Sequence, residues 1–148
     1  MLRTKVVFTE WEPDKYPARV KNLLQQYAPQ LGEQFQTEIK TPQFSWPKNP
    51  QTGVQQTTQR KNGQLVGSPR DIVDLGNFLR SQQPGKVIGN KKSGYALSFT
   101  WTAPYALAIY RGYYNNRFQK EKARDWIHPA LAKTPMSTFF ANNWIQSK

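Results

Sequence analysis

Residues 95–101 read Tyr-Ala-Leu-Ser-Phe-Thr-Trp, the clearest period-two alternation in the chain. This alternation is typical of a β-strand with one face on a core, because successive side chains point to opposite faces of a sheet. Residues 86–88, Lys-Val-Ile, precede this segment and favour a second strand that pairs with it across the polar loop at residues 89–94. The pattern therefore predicts a small antiparallel sheet centred on residues 95–101.

Upstream, apolar residues recur at helical spacing between about residues 18 and 39, with Gln and Lys between them. They are Val20, Leu23, Leu24, Tyr27, Leu31, Phe35 and Ile39. This spacing predicts a long amphipathic helix, and Pro29 and Gly32 within it predict a kink or a break into two pieces. Residues 5–11 are rich in strand formers and favour a short edge strand.

Residues 41–69 are poor in hydrophobic side chains and are punctuated by Pro and Gly. The pair Asn62-Gly63 favours a two-residue hairpin turn, so residues 54–66 are expected either as an extended β-arm or as a disordered loop. A chain of 148 residues has the size of one domain. We therefore expect a single α+β domain over residues 1–148. Its small antiparallel sheet packs against a long N-terminal helix and short C-terminal helices, with a polar arm or hairpin at 41–69.

The net charge of +12 attracts nucleic acid, anionic lipid or acidic protein surfaces. Basic and aromatic residues interleave most densely between residues 111 and 124. This stretch is interpreted either as a phosphate-binding and base-stacking segment or as a solvated loop whose aromatics reach back into the core. The sequence has no cysteine, no apolar run near the ~20 residues that cross a bilayer, and no signal-peptide pattern. We expect a protein that is made in the cytoplasm and does not contact membranes.

Three short segments in the second half are interpreted as structural joints. In the first, residues 68–81, Asp74 is predicted to be a helix N-cap, because its carboxylate accepts from free amides of the first turn. Val73 and Phe78 then flank the cap as a hydrophobic staple, and Gly76 allows another backbone to approach closely. Arg70, Asp71 and Arg80 are expected to cluster near this cap, while Ser81 faces outward or caps the helix end.

The second joint, residues 101–112, is predicted as a corner between strand and helix. Trp101 ends the apolar face of the strand, Pro104 suits the first helical position, and Gly112 suits the C-terminal stop. Tyr105 and Tyr110 are expected along the helix, with Tyr110 and Arg111 near its exposed end.

The third joint, residues 123–131, is predicted as an aromatic anchor. Trp126 would fix the chain before Pro129 starts a final helical region, which Pro135 bends.

The candidates for catalysis are few. The acids Asp71, Asp74, Glu121 and Asp125 have no recognisable metal-ligand spacing, and His128 is the single histidine. The sequence contains no Gly-rich phosphate loop and no nucleophile elbow. We therefore predict a protein that is not an enzyme and has no catalytic residue, metal site or cofactor.

Taken together, the joints resemble the neck, or tail-completion, proteins of tailed bacteriophages. That family carries an Asp-Thr-Gly motif, with a Leu two residues after the Gly and a Ser three residues after the Leu. Asp74, Gly76 and Ser81 match this motif, whereas Leu75 replaces Thr and Phe78 stands at the Leu position.

In that family a strand then leads into Tyr-Ala, a β-branched residue and Gly, and an Arg-Pro-Phe-like segment precedes the last helix. The second motif is matched by Tyr105, Ala106, Ile109 and Gly112, and Tyr110 stands where an acid or His is frequent. The third is matched by Arg124, Pro129, Ala130 and Leu131, with Trp126 for Phe and Asp125 where Pro is common. The resemblance covers roughly residues 69–131 and a preceding long helix.

The resemblance implies a virion structural protein of the phage neck, assembled in the host cytoplasm. Copies would form a homo-oligomeric ring that joins the head connector to the tail around the DNA channel, contacting neighbouring connector, neck and tail proteins and, nonspecifically, the packaged DNA. The expected interface residues are Arg70, Arg80, Tyr110, Arg111, Arg117, Lys120, Lys122 and Arg124. The alternatives are a tail terminator or other minor tail protein, and a basic nucleic-acid-binding module.

Overall fold

A computed structural model describes most of the chain. The described residues are 1–7, 16–43, 48–54, 58–60, 62–67, 69, 71–73, 76–114, 120–121 and 123–144. The first half contains β1 (Leu2–Val7), α1 (Pro17–Lys40), β2 (Thr58–Gln59), β3 (Leu65–Val66) and α2 (Asn77–Arg80). The second half contains β4 (Lys86–Asn90), β5 (Gly94–Trp101), α3 (Ala106–Arg111), β6 (Tyr113–Tyr114), β7 (Lys120–Glu121), α4 (Ile127–Lys133) and α5 (Met136–Asn143).

A three-stranded antiparallel sheet forms around β5, in the order β1-β5-β4. Leu2 of β1 pairs with Trp101 of β5, and Val87 of β4 pairs with Leu97 of β5. The predicted pairing of residues 86–88 with the alternating strand is therefore confirmed. The edge strand begins earlier than predicted, at Leu2, and residues 8–11 of the predicted segment lie outside the described residues.

Helix α1 is one continuous element of 24 residues. The expected break at Pro29 and Gly32 is wrong. Pro29 lies on the exposed side of the helix, so the carbonyl of Gln25, which loses its amide partner, faces water. Gly32 is buried against the sheet, and a Cβ there would lie 3.4 Å from Gln82 Nε2 and 3.5 Å from Phe99 Cε1, in ordinary van der Waals contact.

The core lies between α1 and the inner face of the sheet. The Phe35 ring packs edge-on against Phe99 and Trp101 of β5, with centroids 5.0 and 5.3 Å apart. At the other side of α1, the Tyr27 hydroxyl donates to the Thr134 carbonyl across 2.5 Å, and burial raises the pKa of Tyr27. The long helix thus contacts both the sheet and the C-terminal helices, which confirms the predicted α+β arrangement.

One carboxylate is fully buried in this core. The Glu38 side chain on α1 is 0% exposed, and its Oε1 accepts from Lys133 Nζ of α4 at 2.7 Å and from Gln34 Nε2 at 2.8 Å. Oε2 has no hydrogen-bond partner in the described part of the chain. A buried charge is costly unless it is paired, so this ion pair determines how α4 sits on α1.

Between the helix and the first joint, β2 and β3 form a short antiparallel hairpin. The Arg60 amide donates to the Gln64 carbonyl, and the Gly63 amide donates to the Arg60 carbonyl, with Gly63 at φ 87°. The turn therefore closes from Arg60 to Gln64, which is longer than the predicted two-residue Asn62-Gly63 loop. A glycine in the left-handed region after a turn is typical of three-residue hairpin loops.

This hairpin is tied to the rest of the chain by an ion pair. Arg60 Nη2 lies 2.9 and 3.1 Å from the two carboxylate oxygens of Asp71, and the two side chains are only 10% and 18% exposed. Desolvated charge-assisted hydrogen bonds hold such groups more firmly than exposed pairs. The polar segment thus contains a hairpin whose turn is held by Asp71.

Removal of the cation that pairs with Glu38 should destabilise the protein. We expect Lys133→Met to lower the free energy of unfolding by about 1–3 kcal/mol, since it leaves a buried carboxylate without its partner. Urea denaturation measures the change. Lys21→Met, which removes an exposed lysine from α1, is the control and should change stability by less than about 0.5 kcal/mol. Equal effects of the two variants would contradict the role assigned to the buried pair.

Candidate functional site

The three predicted joints meet in one aromatic cluster, which consists of Phe78, Trp101, Tyr110 and Trp126. The Trp126 ring packs edge-on against Phe78 at 4.9 Å, Trp101 at 5.4 Å and Tyr110 at 5.6 Å between centroids. Trp101 and Trp126 are fully buried. Edge-to-face pairs of this kind add to the energy of apolar burial. The joints therefore build a core, in which Phe78, Trp101 and Trp126 are buried and against which Tyr110 packs half-buried.

At the first joint, α2 begins at Asn77, and Gly76 occupies its N-cap position with φ 75°. The prediction of Asp74 as the N-cap is therefore wrong, and the hydrophobic staple built on that cap fails with it. Asp74 itself lies outside the described residues. A left-handed backbone favours glycine, and a Cβ on Gly76 would lie 2.9 Å from Arg80 Nη1. The group that approaches Gly76 closely is thus a guanidinium, where another backbone was expected.

Ser81 joins the first segment to the second. Its hydroxyl donates to the Phe78 carbonyl at 2.7 Å, and its own carbonyl accepts from the Thr102 amide at 2.9 Å. Ser81 is the C-cap of α2 and is buried, so the expected helix cap is confirmed and the outward-facing alternative is wrong. Next to it, Gln82 pairs with Trp101 and donates through Nε2 to the Gly32 carbonyl at 2.9 Å. These links were missed because a Ser-Gln pair has no periodic pattern that would indicate a tertiary contact.

At the second joint, Pro104 and Tyr105 form a turn, and α3 begins at Ala106. The helix therefore starts two residues later than predicted for Pro104. Gly112 ends it with φ 78°, which confirms the predicted stop. Tyr105 is 43% exposed, although its ring still lies 6.2 Å from that of Phe78.

At the third joint, α4 begins at Ile127, two residues before the predicted start at Pro129. Asp125 supplies the cap that sequence reasoning missed. Its Oδ1 accepts from the amides of Ile127 at 2.8 Å and His128 at 3.1 Å. Its Oδ2 lies 2.5 Å from His128 Nδ1. An Asp shortly before an apolar helical run is a recognisable N-terminal signal, and it explains Asp125 without any catalytic role. The final helical region is divided at residues 134–135 into α4 and α5.

Of the eight residues expected at an interface, the structure describes five. Arg80 and Arg111 are exposed, and Arg80 Nη2 donates to Asn77 Oδ1 at 2.7 Å. Arg124 is half-buried, and its amide donates to the Ile109 carbonyl at 3.0 Å. Lys120 belongs to β7, which pairs with β6. Three of the eight lie outside the described residues: Arg70, Arg117 and Lys122.

Tyr110, the remaining member of this set, is half-buried against Trp126. Desolvation raises the pKa of Tyr110, the nearby Asp125 charge raises it further, and Arg111 opposes the shift. Tyr110 therefore packs against the core from the end of α3, and Arg111 beside it is exposed.

Two exposed apolar side chains lie outside this set of eight residues, in the polar segment. Leu65, on strand β3 of the hairpin, is 72% exposed, and Val54, just before the hairpin, is 64% exposed. Single exposed apolar residues are common on protein surfaces. In this case both belong to the polar segment, and Leu65 directly follows the hairpin turn that Arg60 anchors to Asp71. We call residues 48–67 the arm.

Among the described side chains, no group of three or more His, Asp or Glu residues is placed to hold a metal ion. Within the same part of the chain, no helix is both long and apolar enough to cross a membrane.

No protein-family model, curated protein or solved structure matches this chain.

Trp126 is the contact that unites the joints, so its loss should be severe. We expect Trp126→Ala to lower the free energy of unfolding by about 3–5 kcal/mol, through lost apolar burial and the cavity left behind. Trp144→Ala is the matched control, because Trp144 is half-buried at the edge of α5 and its loss should cost much less. Urea denaturation of both variants tests the ranking, and equal losses would contradict it.

Proposed function

We propose that this protein is a structural component of the neck of a tailed-phage virion. Copies form a ring that joins the head connector to the tail around the DNA channel, and the protein catalyses no reaction. A tail terminator or another minor tail protein is the closest alternative, since these proteins also act by forming rings through surface contacts. The proposal extends the motif resemblance of residues 69–131.

The observation that carries the proposal is the way the chain uses its motif residues. Phe78, Trp101 and Trp126 are buried against one another, so the three motifs act together as one structural unit. That is the behaviour expected of motifs shared by a structural family. The two most exposed large apolar side chains of the described residues, Leu65 and Val54, lie outside this core on the arm.

The arm supports an assembly role through its geometry. The turn of its hairpin is held by the ion pair between Arg60 and Asp71, and Leu65, next to this turn, is exposed. An apolar group beside a held turn loses little conformational entropy when a partner covers it. In a ring, each arm would cover a neighbouring subunit, so soluble copies associate on the assembling particle.

A basic nucleic-acid-binding module is the second candidate function, and the net charge of +12 favours it. The two candidates differ in what happens when the gene is removed. A neck protein is required for joining heads to tails, whereas an accessory DNA-binding protein is not.

Deletion of the gene from the phage genome that encodes it tests the neck proposal. We expect lysates that contain DNA-filled heads and finished tails as separate particles, because the joint between them is missing. Electron microscopy of the lysate shows the two kinds of particle, and plasmid-borne wild-type protein should restore whole virions. Normal infectious particles from the deletion strain would refute the proposal.

The arm has its own test in the same deletion strain. Val54→Asp combined with Leu65→Asp should abolish complementation, because charged groups cannot be buried against a neighbouring subunit. Gln25→Asp combined with Gln26→Asp is the matched control, since it adds the same two charges to exposed positions of α1. Both proteins should melt within a few degrees of the wild type, as exposed substitutions rarely alter stability. Full complementation by the arm variant would show that the arm is not an interface.

A further inference from the structure

The register of the sheet aligns basic residues that are far apart in sequence. Lys5 of β1 and Lys86 of β4 both pair with Ser98 of β5, so the three form one row across the sheet. Arg3 pairs with Thr100 in the row that lies two residues further along β5. Residues two apart on a strand share a face, so all five side chains lie on the same side of the sheet. We call these five residues the cationic face.

This face points away from the core. The alternate residues of β5, among them Phe99 and Trp101, contact Phe35 of α1 on the inner side. On the outer side Arg3, Lys5 and Lys86 are exposed, and Ser98 and Thr100 are partly exposed. Further along the same side, Ala96 of β5 is buried, whereas its partner Ile88 of β4 is 42% exposed.

The positive charges of this face are not neutralised by described acidic groups. The ion pairs of the described residues join Arg60 to Asp71, Lys133 to Glu38 and His128 to Asp125. None of these pairs lies on the three-stranded sheet. Glu33, the remaining carboxylate whose side chain is described, lies on α1 behind the inner face. Among the described residues, the cationic face therefore carries positive charge without an acidic partner.

We propose that the cationic face binds the phosphate backbone of double-stranded DNA. Adjacent strands are about 4.8 Å apart, so the backbones of Lys5 and Lys86 are separated by about 10 Å, with a hydroxyl between them. Lys, Arg and Ser or Thr hydroxyls are the usual donors to phosphate oxygens. They contact the backbone without reading the bases, which suits a protein that meets DNA of any sequence.

The composition of the face favours a duplex over single strands. Proteins that hold single strands combine positive charge with aromatic side chains on which bases stack. Tyr95, Phe99 and Trp101, the aromatic residues of β5, lie on the inner side of the sheet, and the cationic face itself contains no aromatic residue. A membrane surface is disfavoured as well, because among the described residues of this side Ile88 is the large apolar group that is exposed, and insertion between lipids needs a broad apolar face.

This inference does not rest on the neck proposal, since a free DNA-binding protein would use the same face. It also differs from the sequence-based expectation, which placed phosphate contacts in residues 111–124. A result against the cationic face therefore leaves the deletion test of the neck proposal unaffected, and failure of the neck proposal leaves this face to be tested separately.

The test compares two double variants of the full chain in fluorescence anisotropy with a labelled DNA duplex. Lys5→Gln combined with Lys86→Gln removes two charges from the cationic face. Lys21→Gln combined with Lys40→Gln removes two exposed charges from α1, on the other layer of the fold. We expect the first variant to bind at least about tenfold more weakly in 0.1 M salt and to reduce the slope of log K against log salt by about 2. The second should stay close to the wild type.

Equal weakening by the two variants would show that net charge alone draws DNA, and it would overturn the proposal. Unchanged binding by the first variant would overturn it too, as would binding of the wild type to anionic vesicles with no affinity for DNA. A measurement on the wild-type protein covers the case in which a variant does not fold. Lysine acetylation, read by mass spectrometry, should be blocked by the duplex at Lys5 and Lys86 and unaffected at Lys21 and Lys40. Equal acetylation of the four lysines with and without DNA would reject the site.

Discussion

The packing of Trp126 against Trp101 and Phe78 is the contact on which the rest of this structure depends. The three rings come from three separate parts of the chain, and each meets the next edge-on within 5.4 Å. Phe35 extends the same stack onto α1, so one run of aromatic contacts joins the long helix, the sheet, α2 and the start of α4. Large rings bury much apolar area per residue, which lets a chain with few aliphatic side chains build a core.

This core limits which residues can contact other molecules. A buried residue that packs four elements against one another cannot also contact a partner. The motifs that carry the resemblance to neck proteins therefore have a structural role. Contacts with other molecules must then come from surface residues, and two surfaces of this protein differ in their chemistry. The arm exposes Val54 and Leu65, and the outer side of the sheet exposes Lys5 and Lys86. Apolar contacts suit another protein subunit, whereas unpaired cations suit a polyanion.

The elements that could be predicted from the sequence are those with a local pattern. The alternation of residues 95–101 and the helical spacing before residue 40 each depend on neighbouring residues, and both were confirmed. The predicted N-cap of α2, Asp74, was wrong because Gly76 occupies that position with a left-handed backbone and no side-chain cap. The sequence favoured Asp74 because Asp is a common N-cap residue. The cationic face could not be predicted, because Lys5 and Lys86 become neighbours only through the register of both strands with β5.

The separation of the two surfaces also bears on how a ring around DNA would be organised. In such a ring, subunits meet side by side while the DNA passes through the centre, so the surface for neighbours and the surface for phosphate must face different ways. The cationic face lies on the side of the sheet opposite α1, and no described carboxylate shares that side. Of the described acids, Glu38 and Asp71 pair with Lys133 and Arg60, and Glu33 is exposed on α1, in the other layer of the fold. The described acids thus leave the outer side of the sheet positive, and this charge attracts DNA over a distance of about a Debye length.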